Sequence, residues 1–68
     1  MELYTVSEVS SLLKINKNLV YELIKHQKIK AMKLGSLKVS SFELADFIKR
    51  SEGLDYSDLK NPTELKTL

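Results

Sequence analysis

The sequence of 68 residues has no cysteine and no tryptophan, one proline, two glycines and one histidine. Without cysteine there is neither a disulfide framework nor a thiolate metal site. His26 alone cannot hold a metal without carboxylates gathered around it. No stretch approaches the roughly 18 unbroken apolar residues of a membrane span. The N-terminus lacks the basic-then-apolar pattern of a secretory signal, which predicts a cytoplasmic protein. Gly35 and Gly53 form no phosphate loop, and no nucleophile–base pair is apparent, so the expectation is a protein that is not an enzyme and uses no cofactor or metal. A single domain this short buries only about 60% of the surface its unfolded chain exposes. Its hydrophobic residues, 43% of the total, are needed for a core, which leaves few for a deep substrate pocket.

The charge is what stands out among the residues present. The net value is only +2. Residues 1–50, however, carry nine cations and five acids, a net +4, whereas residues 51–68 carry two cations and four acids, a net −2. Between residues 14 and 38 seven lysines face one acid, Glu22, a local +6. So one-sided a block repels itself unless something anionic lies against it. Nucleic acid is one such partner, and a solvated lysine surface is the plainer alternative.

Three helix starts share one design. Thr5 stands three residues before Glu8, Asn16 precedes a run beginning at Lys17, and Ser40 stands three residues before Glu43. These are N-caps, the first and last with capping-box spacing, and apolar pairs Tyr4/Val9, Ile15/Val20 and Val39/Leu44 flank them as staples. Helices are predicted near 6–13, 17–26 and 41–50, with Gly53 a stop beyond the last. Val6, Val9, Leu12 and Leu13 form one apolar face of the first helix; Leu19, Val20, Leu23 and Ile24 do so on the second. The opposite face of the second is Lys17, Asn18, Tyr21, Glu22 and Lys25. Phe42 begins an apolar set with Leu44, Ala45, Phe47 and Ile48, and both phenylalanines are expected in the core. Only Lys14, Ile15 and Asn16 separate the first two helices, which matches a helix-turn-helix.

Strands are predicted over residues 29–34 and 37–39, joined by Gly35-Ser36 as a two-residue type II′ turn. That register sets Leu34 opposite Leu37, Lys33 opposite Lys38 and Met32 opposite Val39. Met32, Leu34, Leu37 and Val39 would then share the core face, and two lysines would face each other on the other side. The pair would cost stability unless a phosphate backbone lay against it.

The segments Tyr4-Thr5-Val6-Ser7-Glu8-Val9-Ser10-Ser11-Leu12-Leu13, Val20-Tyr21, Leu23-Ile24, Met32-Lys33-Leu34-Gly35, Lys38-Val39 and the closing 42–48 helix together resemble the excisionase-type, MerR-like winged-helix DNA-binding domains. The resemblance covers about residues 3–50. It implies a mainly α fold with a small β-hairpin, a winged helix-turn-helix over residues 1–50, followed by an acidic tail, 51–68. It also implies that the second helix enters the major groove and that the wing touches the adjacent minor groove or backbone. The chain departs from the family where Ser10 replaces a small residue, often alanine, and where Lys14 and Gln27 replace glycines. The wing also lacks the arginine and aromatic residue common near Ser36 and Leu37. A lysine wing holds phosphate as a point charge and cannot fork onto it.

The candidate DNA contacts on the second helix are Asn16, Lys17, Asn18, Tyr21, Glu22 and Lys25. Asn18 suits adenine and Glu22 suits cytosine N4, while Lys17 and Lys25 suit phosphate. Glu22 has the alternative of pairing with Lys25 or His26, and Tyr21 that of a rim residue of the core. His26 suits the negative end of its helix. Lys28, Lys30, Lys33, Ser36 and Lys38 are the candidates on the wing and its flank. In the tail, Leu54, Tyr56, Leu59, Leu65 and Leu68 accompany Asn61-Pro62-Thr63-Glu64, which reads as a helix start. The tail's alternatives are a frayed end, a helix packed on the core, or a docking segment for an integrase-type recombinase or a neighbouring copy.

The expected function is sequence-preferring binding of double-stranded DNA, as an excisionase-like architectural factor directing integrase-mediated excision of a mobile element. The resemblance equally accommodates a small transcriptional regulator of a phage, plasmid or transposon. From a different class comes a protein-interaction module whose lysines meet an acidic partner. Expected partners are duplex DNA, an integrase through the tail, and further copies binding cooperatively on DNA, with nucleoid association when bound and no membrane.

Overall fold

A computed structural model describes residues 1–66. The elements are β1 (Leu3–Thr5), α1 (Val6–Leu13), α2 (Lys17–Lys25), β2 (Met32–Leu34), β3 (Ser36–Ser40), α3 (Ser41–Ser51), β4 (Leu54–Asp55) and β5 (Thr63–Glu64). Helices and hairpin follow one another as a winged helix-turn-helix requires. All three helices start at the expected caps. Thr5 and Glu8 form a complete box, each side chain accepting the other's backbone N–H at 3.1 and 2.9 Å. Asn16 Oδ1 accepts the Leu19 N–H at 2.8 Å. Ser40 Oγ accepts the Glu43 N–H at 3.0 Å.

Both helices of the helix-turn-helix end on a left-handed residue that is not glycine. Lys14 and Gln27 each have φ of 60°. After α1 the Ile15 N–H returns to the Ser10 carbonyl. After α2 the Gln27 and Lys28 N–H groups bond the Ile24 and Leu23 carbonyls, a complete Schellman end. These are the two positions where the family resemblance calls for glycine, and the strained backbone explains that preference.

A three-stranded antiparallel sheet of order β1-β3-β2 lies against the helices. β1 was not expected; it pairs Tyr4 with Val39 and Thr5 with Lys38. The wing register differs from the expected one by a single residue. Leu34 pairs with Ser36, Lys33 with Leu37 and Met32 with Lys38, so Gly35 alone forms the apex, with φ of 75°. β3 is held on both edges, and its phase is set by Val39, which is fully buried. Leu37 and Val39 face inward as expected. The one-residue offset sends Met32 and Leu34 to the outer face with Lys38 and leaves Lys33 on the inner side. The like-charge pair Lys33/Lys38 therefore does not form.

The core is Val6, Val9, Val20, Leu23, Ile29, Val39, Leu44 and Phe47, drawn from every helix, the middle strand and the connector after α2. Besides Met32 and Leu34 of the wing, several residues of the expected apolar faces lie outside it, among them Ala45, Ile48, Phe42 and Leu12. Phe42 is 69% exposed; it stands two residues before Leu44, about 200° around the helix from the buried stripe. Leu12 is 53% exposed, because Val6, Val9 and Leu13 already complete the inward face of α1.

No helix follows α3 among the described residues. The Asn61-Pro62 start leads into β5, which pairs with β4, and the Leu65 N–H closes onto the Gly53 carbonyl at 2.7 Å. Leu68 lies outside the described residues. Tyr56 and Leu59 pack against the core. The Tyr56 ring lies 5.8 Å from that of Phe47, and its hydroxyl shares a hydrogen bond with Ser51.

Candidate nucleic-acid interface

α2 turns Leu19, Val20, Leu23 and Ile24 toward the core and leaves Lys17, Asn18, Tyr21, Glu22 and Lys25 exposed, as its 3.6-residue period requires. Asn16 spends its amide oxygen on the cap. Tyr21, 48% exposed, belongs to the surface. The wing approaches the start of this helix. A cleft of about 210 Å³ is lined by Thr5, Ser7, Lys17, Tyr21, Ser36 and Leu37. Residues from α2 and the wing tip thus meet in one groove. Thr5 and Ser7 join it only because β1 brings the start of α1 alongside β3, a juxtaposition for which the sequence carries no local signal.

The wing's two lysines differ. Lys33 is exposed. Lys38 is half-buried, and its Nζ donates to the Ser36 Oγ at 2.7 Å and the Leu34 carbonyl at 3.3 Å, clamping the turn around Gly35.

Lys28 and Lys30 occupy different surroundings. They line a polar hollow of about 350 Å³ with Gln27, Glu43, Asp46, Arg50 and Tyr56. Arg50 is its centre: it donates to the Lys28 carbonyl at 2.6 Å and to Glu43 Oε2 at 2.8 Å, and pairs with Asp46. Glu43 does not complete the capping box with Ser40. Its carboxylate instead accepts the Lys30 N–H at 2.9 Å, tying α3 to the connector between α2 and the wing. Burial opposes ionisation of Glu43. The Lys30 N–H, the Arg50 hydrogen bond and the two nearby positive charges outweigh it and hold the carboxyl below its ordinary value. Arg50 is pushed up, chiefly by its bond to Glu43.

Among the described residues both ion pairs are made by Arg50. Glu22 pairs with neither Lys25 nor His26. Lys17, Lys25 and Lys33 accordingly present charge to solvent without a partner acid. Among the same residues no group of three or more His, Asp or Glu could hold a metal, and no helix is long and apolar enough to cross a membrane.

A family model described as a helix-turn-helix domain matches residues 3–52. No curated protein and no solved structure matches the chain. The matched span runs from β1 through α3 and takes in both capped helices, the wing and the groove between α2 and the wing, so the chain belongs to the helix-turn-helix domain family and is a DNA-binding protein.

Proposed function

We propose that the protein is an excisionase-like architectural factor that binds duplex DNA with sequence preference and sets the direction of integrase-catalysed recombination. The observation that carries the interface is the groove joining Lys17 and Tyr21 of α2 to Ser36 of the wing. Lys25 of the same helix and Lys33 of the wing, both exposed, supply further cations for phosphates. Asn18 and Glu22 are the base-reading side chains, to adenine and cytosine respectively. Lys17, Lys25, Lys33 and Lys38 take phosphates. Lys28 and Lys30, which line the hollow with Glu43 and Asp46, are assigned no phosphate contact in this reading.

The excisionase role rests on the family resemblance of residues 3–50. In that role residues 1–50 bind DNA, several copies bind adjacent sites cooperatively, and the tail from residue 51 meets the integrase. Bending is compensated by added phosphate contacts.

Footprinting on DNA surrounding the coding region, with and without a candidate integrase, tests the role. Protection beside a recombination site, strengthened by integrase, is the expected result; protection over a promoter alone would make the protein a transcriptional regulator. Duplex affinity should fall with salt at a log–log slope of roughly −4, for about four phosphates. A flat salt response would end the DNA reading in favour of an acidic protein partner.

A further inference from the structure

The one-residue register offset of the wing leaves Leu34 58% exposed at its tip. A lone exposed leucine has no meaning by itself. Three further observations give this one a meaning. First, its cross-strand partner is Ser36, which lines the groove with Lys17 and Tyr21. Leu34 therefore stands on the outer lip of the interface. Second, the tip is held rigid. Gly35 supplies the positive φ, and Lys38 Nζ bridges the Leu34 carbonyl and the Ser36 hydroxyl. A side chain presented from a fixed turn loses less freedom on binding. Third, Lys38 shares its face of the wing, the exposed Lys33 precedes it on the opposite face, and neither is paired with an acid among the described residues. An anionic surface with apolar recesses is complementary to that arrangement.

Duplex DNA has such a surface. Its phosphates border a minor groove walled by deoxyribose, into which apolar side chains insert in several groups of DNA-binding proteins. A second copy of the chain is a poorer occupant. The outer face of the middle strand is polar throughout, with Ser36, Lys38 and Ser40, and it separates Leu34 and Met32 on one edge from Leu3 on the other. Among the described residues the outer face of the sheet thus offers a second copy two separated apolar edges rather than one patch. We propose that Leu34 is an apolar DNA contact, seated against sugars and base edges of the minor groove, in a wing that has no arginine to read it. The proposal rests on the reading of α2 and the wing as the DNA interface.

The test measures binding of the full chain to a fluorescein-labelled, mixed-sequence DNA duplex over a salt series. The variants are Leu34→Ala, Leu34→Met and Lys33→Ala, each checked for thermal stability and for mass in solution. Leu34→Ala is expected to weaken binding about tenfold, with the salt slope and melting temperature unchanged, and Leu34→Met to restore it. Lys33→Ala is expected to make the slope shallower by about 0.9. Wild-type affinity in Leu34→Ala would overturn the proposal while leaving the DNA interface standing. A loss accompanied by a shallower slope, or by disappearance of a self-associated species, would also overturn it. Absence of duplex binding by the wild type is a different failure, that of the interface itself.

Discussion

Two sides of this small domain treat their cations differently. On the side of α2 and the wing, Lys17, Lys25 and Lys33 project without a partner acid among the described residues. On the side of α3, Arg50 is bonded to Glu43, Asp46 and the Lys28 carbonyl, and the tail lies over Phe47. The first side leaves charge available to an anion outside the molecule. The second uses one cation, Arg50, to fasten one element to another, although Lys28, Lys30 and Lys49 there make no ion pair among the described residues. Net charge therefore says little about binding; what matters is which cations have been satisfied internally.

The contrast can be broken most forcefully from the fastened side. Removing residues 54–68 strips Tyr56 and Leu59 from the core and is expected to cost about 3 kcal/mol, read by urea denaturation. An unchanged midpoint would show that the tail contributes nothing to the fold. Glu43→Ala unties the connector from α3 and should cost about 1.5 kcal/mol. Arg50 is 39% exposed on its side chain, so most of this loss comes from the backbone bond rather than from the screened ion pair. The pH dependence carries a definite sign. The carboxyl is lowered in the folded state, so its contribution is complete above the unfolded value of about 4.3 and is lost as pH falls through the folded one. Wild type and Glu43→Ala should therefore converge in stability in acid, as melting curves across that range would show.

The binding side should respond in the opposite sense. Replacing Lys17 and Lys33 together with alanine is expected to reduce the salt slope by about 1.8 while shifting stability by less than about 0.5 kcal/mol. Lys38→Ala mixes the two behaviours, because it also releases the clamp on the turn. A stability loss of about 1 kcal/mol should accompany weaker DNA binding. The smallest effect sharpens the comparison without touching a charge: Gln27→Gly relieves the left-handed residue behind α2 and should stabilise the domain by about 0.5 kcal/mol, with DNA affinity unchanged.

What could be read from the chain followed the range of the forces involved. Thr5/Glu8 and Ser40/Glu43 carry the same capping signature, and both mark a true helix start. Only the first box closes, because nothing competes for Glu8, whereas Arg50 and the Lys30 N–H draw Glu43 away. The exposed face of α2 follows from its period alone. Gly35 was legible as the turn residue. The register around it was not, since β3 is phased by pairing on its other edge with β1. Three residues of β1 are too few to show alternation, and their partners lie far along the chain. Asn61-Pro62 had the form of a helix start without enough following chain to make one. Composition supplied the lysines, but only the fold puts Lys17 in a groove with Ser36 and sets Lys28 and Lys30 around Arg50, Glu43 and Asp46.

The bonds between Glu2 and Ser41 have a consequence for the order of assembly. The Ser41 N–H reaches the Glu2 carbonyl at 2.8 Å, and the Glu2 N–H reaches the Ser41 hydroxyl at 3.2 Å. They close a ladder between the beginning of the chain and a segment 39 residues later. During synthesis α1 and α2 emerge, with their caps and their turn complete, before any partner for β1 exists. Contacts so distant form late, since the chain entropy of closing them is lost before they return any stability. α2 thus takes its cap and its turn from neighbouring residues, whereas the direction of the wing depends on β1 pairing with β3 across the length of the domain.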